Sequence, residues 1–477
     1  MPSVDPEIAG ISADSREVKA GFLFAALRGI ERDGRAFAAE AAARGAVAIL
    51  TDDPAALALN AESRRRIAVV TDPEPQRRLA LLAARFHPRQ PTTIAAVTGT
   101  NGKTSVAHFT RELWSATGRR AASLGTLGLI SPDGRRPGAL TTPDPVALHR
   151  DLAALAAAGV EHAAIEASSH GLAQSRLDGV RITAAAFTNL TRDHLDYHGD
   201  MAAYRAAKER LFTELLPPEG DAILNADSPE FTRLAALCRA RGHRVTAYGM
   251  ATGADLRIIA YATQSLGQEV EVELFGARHV IDLPLVGAFQ AMNVLSALGL
   301  VVAGGDALNA AIAALPLLPG VPGRLQLIGE SRAGAPVFVD YAHTPDALET
   351  VLSTLRPHAD GRLIVVFGAG GDRDRGKRPL MGRVASERAD RVFVTDDNPR
   401  SEEPAAIRRA ILTAAPGAVE IADRRQAIVA AIGELRRGDL LVIAGKGHET
   451  GQIIGGEVLP FDDAAVAGGV LAAETTA

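Results

Sequence analysis

One segment constrains this chain more than any other. It is Val97-Thr98-Gly99-Thr100-Asn101-Gly102-Lys103-Thr104-Ser105, which follows a β-branched run over 93–97 and precedes a helical stretch ending near Gly118. A glycine-rich turn between strand and helix aims backbone amides and the helix N-terminus at an anion. Lys103 would neutralise the β- and γ-phosphates of a nucleotide, and the Thr104 hydroxyl is placed to reach Mg²⁺. The general spacing of such loops puts a glycine five residues before Gly102, where this chain has Val97. Strand, glycine-rich turn and helix in that order fit an α/β architecture with parallel strands, which is also how the alternation along the rest of the chain reads.

The remaining sequence supplies the strands and the crossovers. Short β-rich runs alternate with Ala/Leu/Arg-rich stretches of helical period throughout. Residues 46–50 and 67–70 read as buried strands of a first unit. Those at 93–97, 162–166 and 184–188 belong to a second, and 363–367, 391–395 and 440–444 to a third. A helix is expected from about 424 to 435, N-capped by Asp423. Two Pro-rich punctuations, Phe86-His87-Pro88-Arg89-Gln90-Pro91 and Leu318-Pro319-Gly320-Val321-Pro322-Gly323-Arg324, divide the chain into 1–89, 90–324 and 325–477. A length of 477 residues suits about three domains of roughly 150 residues each.

Charge and composition remove several classes of function. With 51 basic against 56 acidic residues the net charge is −5, and pairs such as Arg119–Arg120 and Arg135–Arg136 are dispersed. Aromatic residues make up 4%, too few for a base-stacking surface, so no nucleic-acid partner is expected. Cys238 is the only cysteine, which excludes an internal disulfide and a thiolate metal cluster. No basic stretch leads into an apolar run at the N-terminus, so no secretory signal is expected. The uncharged stretch 285–305 contains Gln290, Asn293, Ser296 and several glycines, which suits a helix of a globular domain better than a membrane span. A cytoplasmic protein without membrane contact is the expectation.

Acidic and histidine residues cluster at predicted strand ends, where open α/β sheets collect ligands. Glu166 closes one strand before Ala167-Ser168-Ser169-His170-Gly171. Thr188-Asn189-Leu190-Thr191-Arg192-Asp193-His194-Leu195-Asp196-Tyr197-His198 follows another. A carboxylate and an imidazole beside a phosphate loop are suitable Mg²⁺ ligands. His194 and His198, four apart, also raise a zinc protease, but that motif needs a glutamate where Leu195 stands.

These residues carry a resemblance. Thr98-Gly99-Thr100-Asn101-Gly102-Lys103-Thr104, with its variant spacing, is similar to the phosphate loop of the Mur ligase family, ATP-dependent amino-acid ligases of peptidoglycan synthesis. Further segments resemble the member that adds the third residue of the stem peptide. These are Asp14-Ser15-Arg16, Thr141-Thr142-Pro143, the run from Glu166 to Leu172, Tyr204-Arg205-Ala206-Ala207-Lys208, and Asp340-Tyr341-Ala342-His343-Thr344-Pro345-Asp346. The run from Gly371 to Pro379, Asp397-Asn398-Pro399-Arg400, and Gly445-Lys446-Gly447-His448-Glu449 join them. The resemblance covers essentially the whole chain, in order.

The resemblance implies a three-domain α/β fold. A central P-loop ATPase domain with a parallel sheet is flanked by an N-terminal α/β UDP-binding domain and a C-terminal Rossmann-like domain. It implies ligation of meso-diaminopimelate to the D-Glu γ-carboxylate of UDP-MurNAc-L-Ala-D-Glu through an acyl phosphate, with ATP as co-substrate, Mg²⁺ as cofactor and a monomer as the working form. Catalysis would fall to Lys103, Lys208, His194 and Arg324. ATP would meet Gly99, Thr100, Asn101, Gly102, Lys103, Thr104 and Ser105, with Asn293, Arg324, Asp340 and His343 around adenine, ribose or γ-phosphate.

For the UDP-substrate the matching positions are Ala13, Ser15, Ile30, Glu31, Arg32, Leu140, Thr141, Thr142, Ser168, Gln174 and Arg176. Ala13 and Leu140 depart from the residues of relatives and would contact through backbone. Diaminopimelate would meet Arg373, Asp397, Asn398, Pro399, Arg400, Gly445 and Glu449. The metal would be held by Thr104, Glu166, His194 and Lys208. By itself Lys208 reads as a surface lysine; in the family the matching lysine is carbamylated, which turns a cation into a metal-binding carboxylate.

Arg400 bears on the choice of amino acid. Diaminopimelate carries a second carboxylate that a guanidinium can grip bidentately, whereas a lysine-adding relative would leave that arginine unpaired. A non-catalytic P-loop regulator would keep Lys103 and have no use for Glu166, Lys208 and Arg400 together. A folylpolyglutamate-type or cyanophycin-type ligase shares the phosphate loop, but neither the Ser15 region nor the 397–400 loop suits it.

Overall fold

A computed structural model describes residues 6–29, 32–138, 140–264 and 266–476. The chain forms two compact units. One takes in residues up to Tyr248 together with Ser296–Ala311, and the other Gly249–Leu295 with Ile312–Ala477.

The first unit opens with a four-stranded parallel sheet in the order Gly10–Ser12, Phe22–Ala25, Ala48–Thr51, Ala68–Thr71. Alternation along the strands feeds two cores. Phe24 and Ile49 face one side with Val18 and Ala38, while Leu23, Ala25 and Leu50 face the other with Leu79. The strand expected at 67–70 lies at Ala68–Thr71, but it is not buried. It is the sheet's last strand with one neighbour, and Val69 and Val70 are 37% and 39% exposed. An apolar run alone does not distinguish a covered strand from an edge.

The larger sheet of this unit runs Arg244–Gly249, Asp221–Asn225, Ala184–Phe187, Thr93–Thr98, His162–Glu166, Ala121–Gly125, all parallel. Gly128–Ser131 and Gly134–Arg136 extend it antiparallel. The strand before the phosphate loop is therefore flanked by Ala184–Phe187 and His162–Glu166. The loops leaving those neighbours, from Thr188 and from Ala167, border the phosphate loop at the carboxyl ends of the strands. The single cysteine, Cys238 on helix Phe231–Ala240, is buried in the core under this sheet, and burial pushes its thiol up to about 12.

The second unit contains an antiparallel meander, Leu256–Gln264, Gly267–Leu274 and Ala277–Leu283. Its main sheet has the order Gln326–Glu330, Pro336–Asp340, Leu440–Ala444, Leu363–Phe367, Arg391–Val394, Val419–Glu420, parallel except for the first pair. Helices cover both faces, as a parallel sheet requires. Pro345–Leu355, Lys377–Arg388 and Pro404–Leu412 pack through Leu348, Leu352, Met381 and Ile407 on one side. Arg424–Gly433 and Asp463–Thr476 pack through Ala427, Ile428, Val466 and Ala467 on the other. Helix Arg424–Gly433 starts from Asp423, whose carboxylate accepts from the Gln426 amide, as the sequence predicts. The uncharged stretch forms helix Ala288–Ala303, and no helix among the described residues is long and apolar enough to cross a membrane.

Candidate active site

The phosphate loop is held open by its glycines. Gly102, at φ +89°, caps helix Lys103–Ala116 in the left-handed region that favours glycine. At Gly99 a Cβ would stand 1.8 Å from the Thr188 hydroxyl, so only glycine fits. The loop after Ala184–Phe187 then fixes the turn. The Thr100 amide donates to the Asn189 carbonyl (2.8 Å), the Asn101 amide to Asn189 Oδ1 (2.9 Å), and the Thr188 hydroxyl to the Asn101 carbonyl (2.6 Å).

Two lysines meet at this turn. Lys103 Nζ donates to the carbonyls of Gly99 (2.9 Å) and Thr100 (2.7 Å), and Lys208 Nζ donates to the same Gly99 carbonyl at 2.7 Å. Lys208 is not a surface lysine: it is 1% exposed, with Nζ 4.4 Å from the centre of the Tyr204 ring. Burial, reinforced by the Lys103 charge, lowers its pKa to about 6. Tyr204 also bonds the Thr100 hydroxyl (3.1 Å), so one tyrosine supports both loop and lysine.

Glu166 is brought to the loop by register, since it pairs with Val97 across the neighbouring strands. Its Oε2 accepts from the hydroxyls of Thr104 (2.9 Å) and Thr126 (3.1 Å), and Oε1 from the Thr126 amide (2.7 Å). A Cβ at Gly125 would lie 2.0 Å from Glu166 Oε1, so that glycine makes the space for the carboxylate. Glu166 and Thr104 offer hard oxygen donors beside the phosphate loop. Mg²⁺ commonly binds through one or two carboxylates completed by substrate phosphates, so the pair fits this ion.

Of the expected metal set, Thr104 and Glu166 are hydrogen-bonded to each other, and Lys208 and His194 both lie against Tyr204. Among the described residues no group of three or more His, Cys, Asp or Glu side chains is placed to hold a metal ion. His194, at φ +52°, is half-exposed, has Nε2 3.4 Å from the Asp193 carboxylate, and lies edge-on to His170 at 4.8 Å. It shares with Lys208 the ring of Tyr204, 6.2 Å from its own centroid.

A cavity of about 890 Å³ opens between the small parallel sheet and the loop after helix Ser169–Ala173. Of the residues expected to meet a UDP-substrate, Ala13, Ser15, Arg32 and Gln174 line it, together with Arg16, Arg28, Arg77 and Tyr197. Ser15 donates to Glu40 at 2.8 Å. Ile30 and Glu31 lie outside the described residues. Leu140, Thr141, Thr142, Ser168 and Arg176 do not line the cavity. Four of them form a polar path toward Glu166 instead, and Leu140 is exposed. Arg176 donates to Gln174 Oε1 (2.6 Å) and to the Thr142 carbonyl (2.7 Å), and the Thr142 hydroxyl donates to the Glu166 carbonyl (2.7 Å). The Ser168 amide donates to the Thr142 hydroxyl (3.0 Å), and the Thr141 hydroxyl lies 3.2 Å from that of Thr126.

In the second unit Asn293, Arg324, Asp340 and His343 share one neighbourhood. Asp340 is buried and accepts from the amides of Leu325 and Ala342, both at 2.7 Å; burial raises its pKa, against the pull of Arg324 and those amides. The Arg324 guanidinium sits 4.8 Å over the Tyr341 ring. Asn293 donates to Gln290 (3.0 Å), which donates to the Arg324 carbonyl (3.3 Å). The His343 ring bonds the Tyr341 carbonyl at 2.8 Å.

The loop Asp397-Asn398-Pro399-Arg400 follows strand Arg391–Val394. Asn398 Oδ1 accepts from buried Lys446 (3.0 Å), and its Nδ2 donates to Glu449 (2.9 Å). Gly445, at φ +118°, leaves room for Asp397: a Cβ there would stand 2.6 Å from Asp397 Oδ2. Pro399 crosses so close to Gly371 that a Cβ on the latter would overlap the Pro399 carbonyl. Arg400 adopts φ +52° and donates from Nη1 to the Gly371 carbonyl at 2.8 Å. Arg373 is exposed, bonded to the Asp372 carbonyl at 3.2 Å.

Thr126, Tyr204, Asn189 and Lys446 were given no role by sequence reasoning. Tyr204 had a signal, since it precedes Lys208 by four residues on one helix. Thr126 had none, because only the fold carries it to Glu166.

Three family models match this chain in order. They are the Mur ligase family catalytic domain over 7–87, the Mur ligase middle domain over 97–301, and the Mur ligase glutamate ligase domain over 323–447. The chain belongs to the Mur ligase family, and it is an ATP-dependent ligase. Among its relatives is a protein of Bradyrhizobium diazoefficiens named UDP-N-acetylmuramoyl-L-alanyl-D-glutamate–2,6-diaminopimelate ligase. It is 54% identical, over 96% of this chain and 93% of that protein. The Caulobacter vibrioides protein of the same name is 53% identical over 97% and 95%. A solved structure of a ligase so named superposes with a TM-score of 0.73 at 36% identity, covering 98% of this chain and 95% of that one. A Thermotoga maritima MurF ligase in complex with ADP shares the fold, with a TM-score of 0.61 at 18% identity over 92% and 94%.

Proposed function

We propose that this protein joins meso-diaminopimelate to the D-Glu γ-carboxylate of UDP-MurNAc-L-Ala-D-Glu with cleavage of ATP, in the synthesis of peptidoglycan precursors. The observation that carries this reading is identity of 54% over 96% of the chain to a ligase of that name. We assign the UDP-substrate to 1–89, ATP to 90–324 and the amino acid to 325–477, in a cytoplasmic monomer.

A carboxylate is a poor electrophile, and transfer of the γ-phosphoryl group to its oxygen creates a leaving group. The amine of diaminopimelate then attacks the acyl carbon and phosphate departs. Lys103, on the loop turn, would neutralise charge that moves between β- and γ-phosphates. Arg324, Asn293, Asp340 and His343 would close around the nucleotide. Thr104, Glu166, His194 and carbamylated Lys208 would hold Mg²⁺, which neutralises the crowded phosphate and carboxylate oxygens.

The state of Lys208 supports its modification. A lysine lowered to about 6 is mostly a neutral amine at pH 7. Only a neutral amine attacks CO₂; its nitrogen gains a bond to carbon and loses a proton, leaving a carbamate anion. Arg400 would grip the far carboxylate of diaminopimelate, and Asp397 or Glu449 would receive the far ammonium. The remaining UDP-substrate and amino-acid positions keep the assignments their family matches imply.

Phosphate release measured with each substrate omitted in turn tests the reading. Release should require both UDP-MurNAc-L-Ala-D-Glu and diaminopimelate. Equal release with neither present would refute it.

A further inference from the structure

The hairpin formed by Gly451–Ile454 and Glu457–Pro460 encloses the 397–400 loop. Four hydrogen bonds join residues 452–455 to it. Gln452 Nε2 donates to the Asp397 carbonyl (2.7 Å), and the Ile453 amide donates to Asn398 Oδ1 (3.0 Å). The Arg400 amide donates to the Ile453 carbonyl (3.0 Å), and the Gly455 amide to the Arg400 carbonyl (2.7 Å). Arg400 and Ile454 thus pair like neighbouring strand residues.

That pairing has a conformational consequence. Arg400 sits at φ +52°, a region costly for a residue with a side chain, and such geometry persists only where its surroundings over-determine it. The hairpin supplies this on both sides of the residue, because it binds the Arg400 amide and the Arg400 carbonyl. Relaxation of the backbone to an ordinary φ would swing the guanidinium away from the Gly371 carbonyl. The turn that aims Gly455 at Arg400 needs a glycine, since Gly455 has φ +60° at the first position of a two-residue turn. Asn398, held by the same hairpin, also bonds Glu449 and Lys446.

We propose that the Gly451–Pro460 hairpin sets amino-acid selectivity by fixing the backbone of Arg400, with Gln452 and Gly455 as positioning residues that touch no substrate. This rests on the reading of Arg400 as the group that meets the far carboxylate. An anion grip depends on placement: a shift of about 1 Å can cost up to roughly 10²-fold. The hairpin therefore acts on discrimination between a diamino acid with a second carboxylate and one without it, leaving the nucleotide side untouched.

The test is steady-state kinetics of the full chain with diaminopimelate and with L-lysine. Gln452→Met keeps side-chain length and removes the donor to Asp397. Gly455→Ala strains the turn beneath Arg400. Val458→Ser, on an exposed residue of the far strand, controls for general loosening of the hairpin. Each of the first two should raise KM for diaminopimelate about tenfold and lower the diaminopimelate-to-lysine ratio of kcat/KM similarly. KM for ATP and the UDP-substrate, and the kinetics of Val458→Ser, should stay at the parent values.

An unchanged ratio in both hairpin variants, with collapse of the ratio in Arg400→Ala, overturns the role of the hairpin and keeps that of Arg400. An unchanged ratio in Arg400→Ala removes the reading beneath it, and the hairpin proposal falls with it. A drop in kcat with every KM and the ratio unchanged also overturns it, since that is the mark of a merely structural role.

Discussion

Lys103 and Lys208 donate to one and the same acceptor, the carbonyl oxygen of Gly99, at 2.9 and 2.7 Å. Protonation of Lys208 would put a second cation on the oxygen that Lys103 already holds, and after burial that repulsion is part of why the Lys208 amine is lowered to about 6. Lys103 lies at the mouth of the loop and Lys208 is walled in beneath it.

Replacement of Lys103 by alanine should leave the fold intact and reduce turnover by about 10²–10³-fold or more, the usual cost of one electrostatic contact to a reacting group. Saturation with ATP should not restore the rate. The check is kcat at saturating substrates, with thermal unfolding of the same preparation.

Lys208→Ala should be nearly inactive and partly rescued by formate or acetate, which replace a carboxylate in the space the side chain leaves. Intact-mass measurement of active parent protein prepared with bicarbonate should show the added CO₂. A fully active preparation with unmodified lysine would refute the assignment.

Gly125→Ala should disturb the active site by displacing Glu166. The new methyl would meet Glu166 Oε1 at 2.0 Å, so the carboxylate must leave its bonds to Thr104 and Thr126. Overpacking of this sort costs about 1–3 kcal/mol of stability. The half-saturating Mg²⁺ concentration should rise as well, which titration of activity against Mg²⁺ would read.

His108 makes the fold acid-sensitive. On helix Lys103–Ala116 it is 5% exposed, and burial, then the charges of Arg111 and Arg135, lower its pKa from 6.5 to about 3. Between those values the unfolded chain binds more protons than the folded one. The stability His108 confers is therefore complete above pH 6.5 and is lost as pH falls toward 3. At pH 5 the loss is about 2 kcal/mol, from 1.36 kcal/mol per pK unit. Thermal unfolding of His108→Leu should fall less between pH 7 and 5 than that of the parent.

What the sequence could reveal follows from how local each cause is. Leu363–Phe367 and Leu440–Ala444 were legible to the residue, because strands buried on both faces read as unbroken apolar runs. Ala68–Thr71 looked the same and proved to be an edge, since burial depends on neighbours distant in sequence. Gly99 and Gly102 declared their loop through spacing. Lys208 needed a resemblance to be noticed, for its burial comes from Tyr204 and the turn at Gly99, more than a hundred residues away in the latter case. The left-handed backbone of Arg400 was invisible, because the hairpin that enforces it lies beyond residue 450.

The buried thiol of Cys238 makes this chain a convenient substrate for spectroscopy. A sulfur kept near pKa 12 inside a helix–sheet core carries almost no thiolate at neutral pH, and thiolate is the species that reacts with maleimides. A cysteine introduced at an exposed position, such as Leu81→Cys in one compact unit or Val458→Cys in the other, would be the sole reactive sulfur. Dyes can thus be attached to either unit, or to both, with every native core residue in place, and energy transfer between them followed through a single turnover.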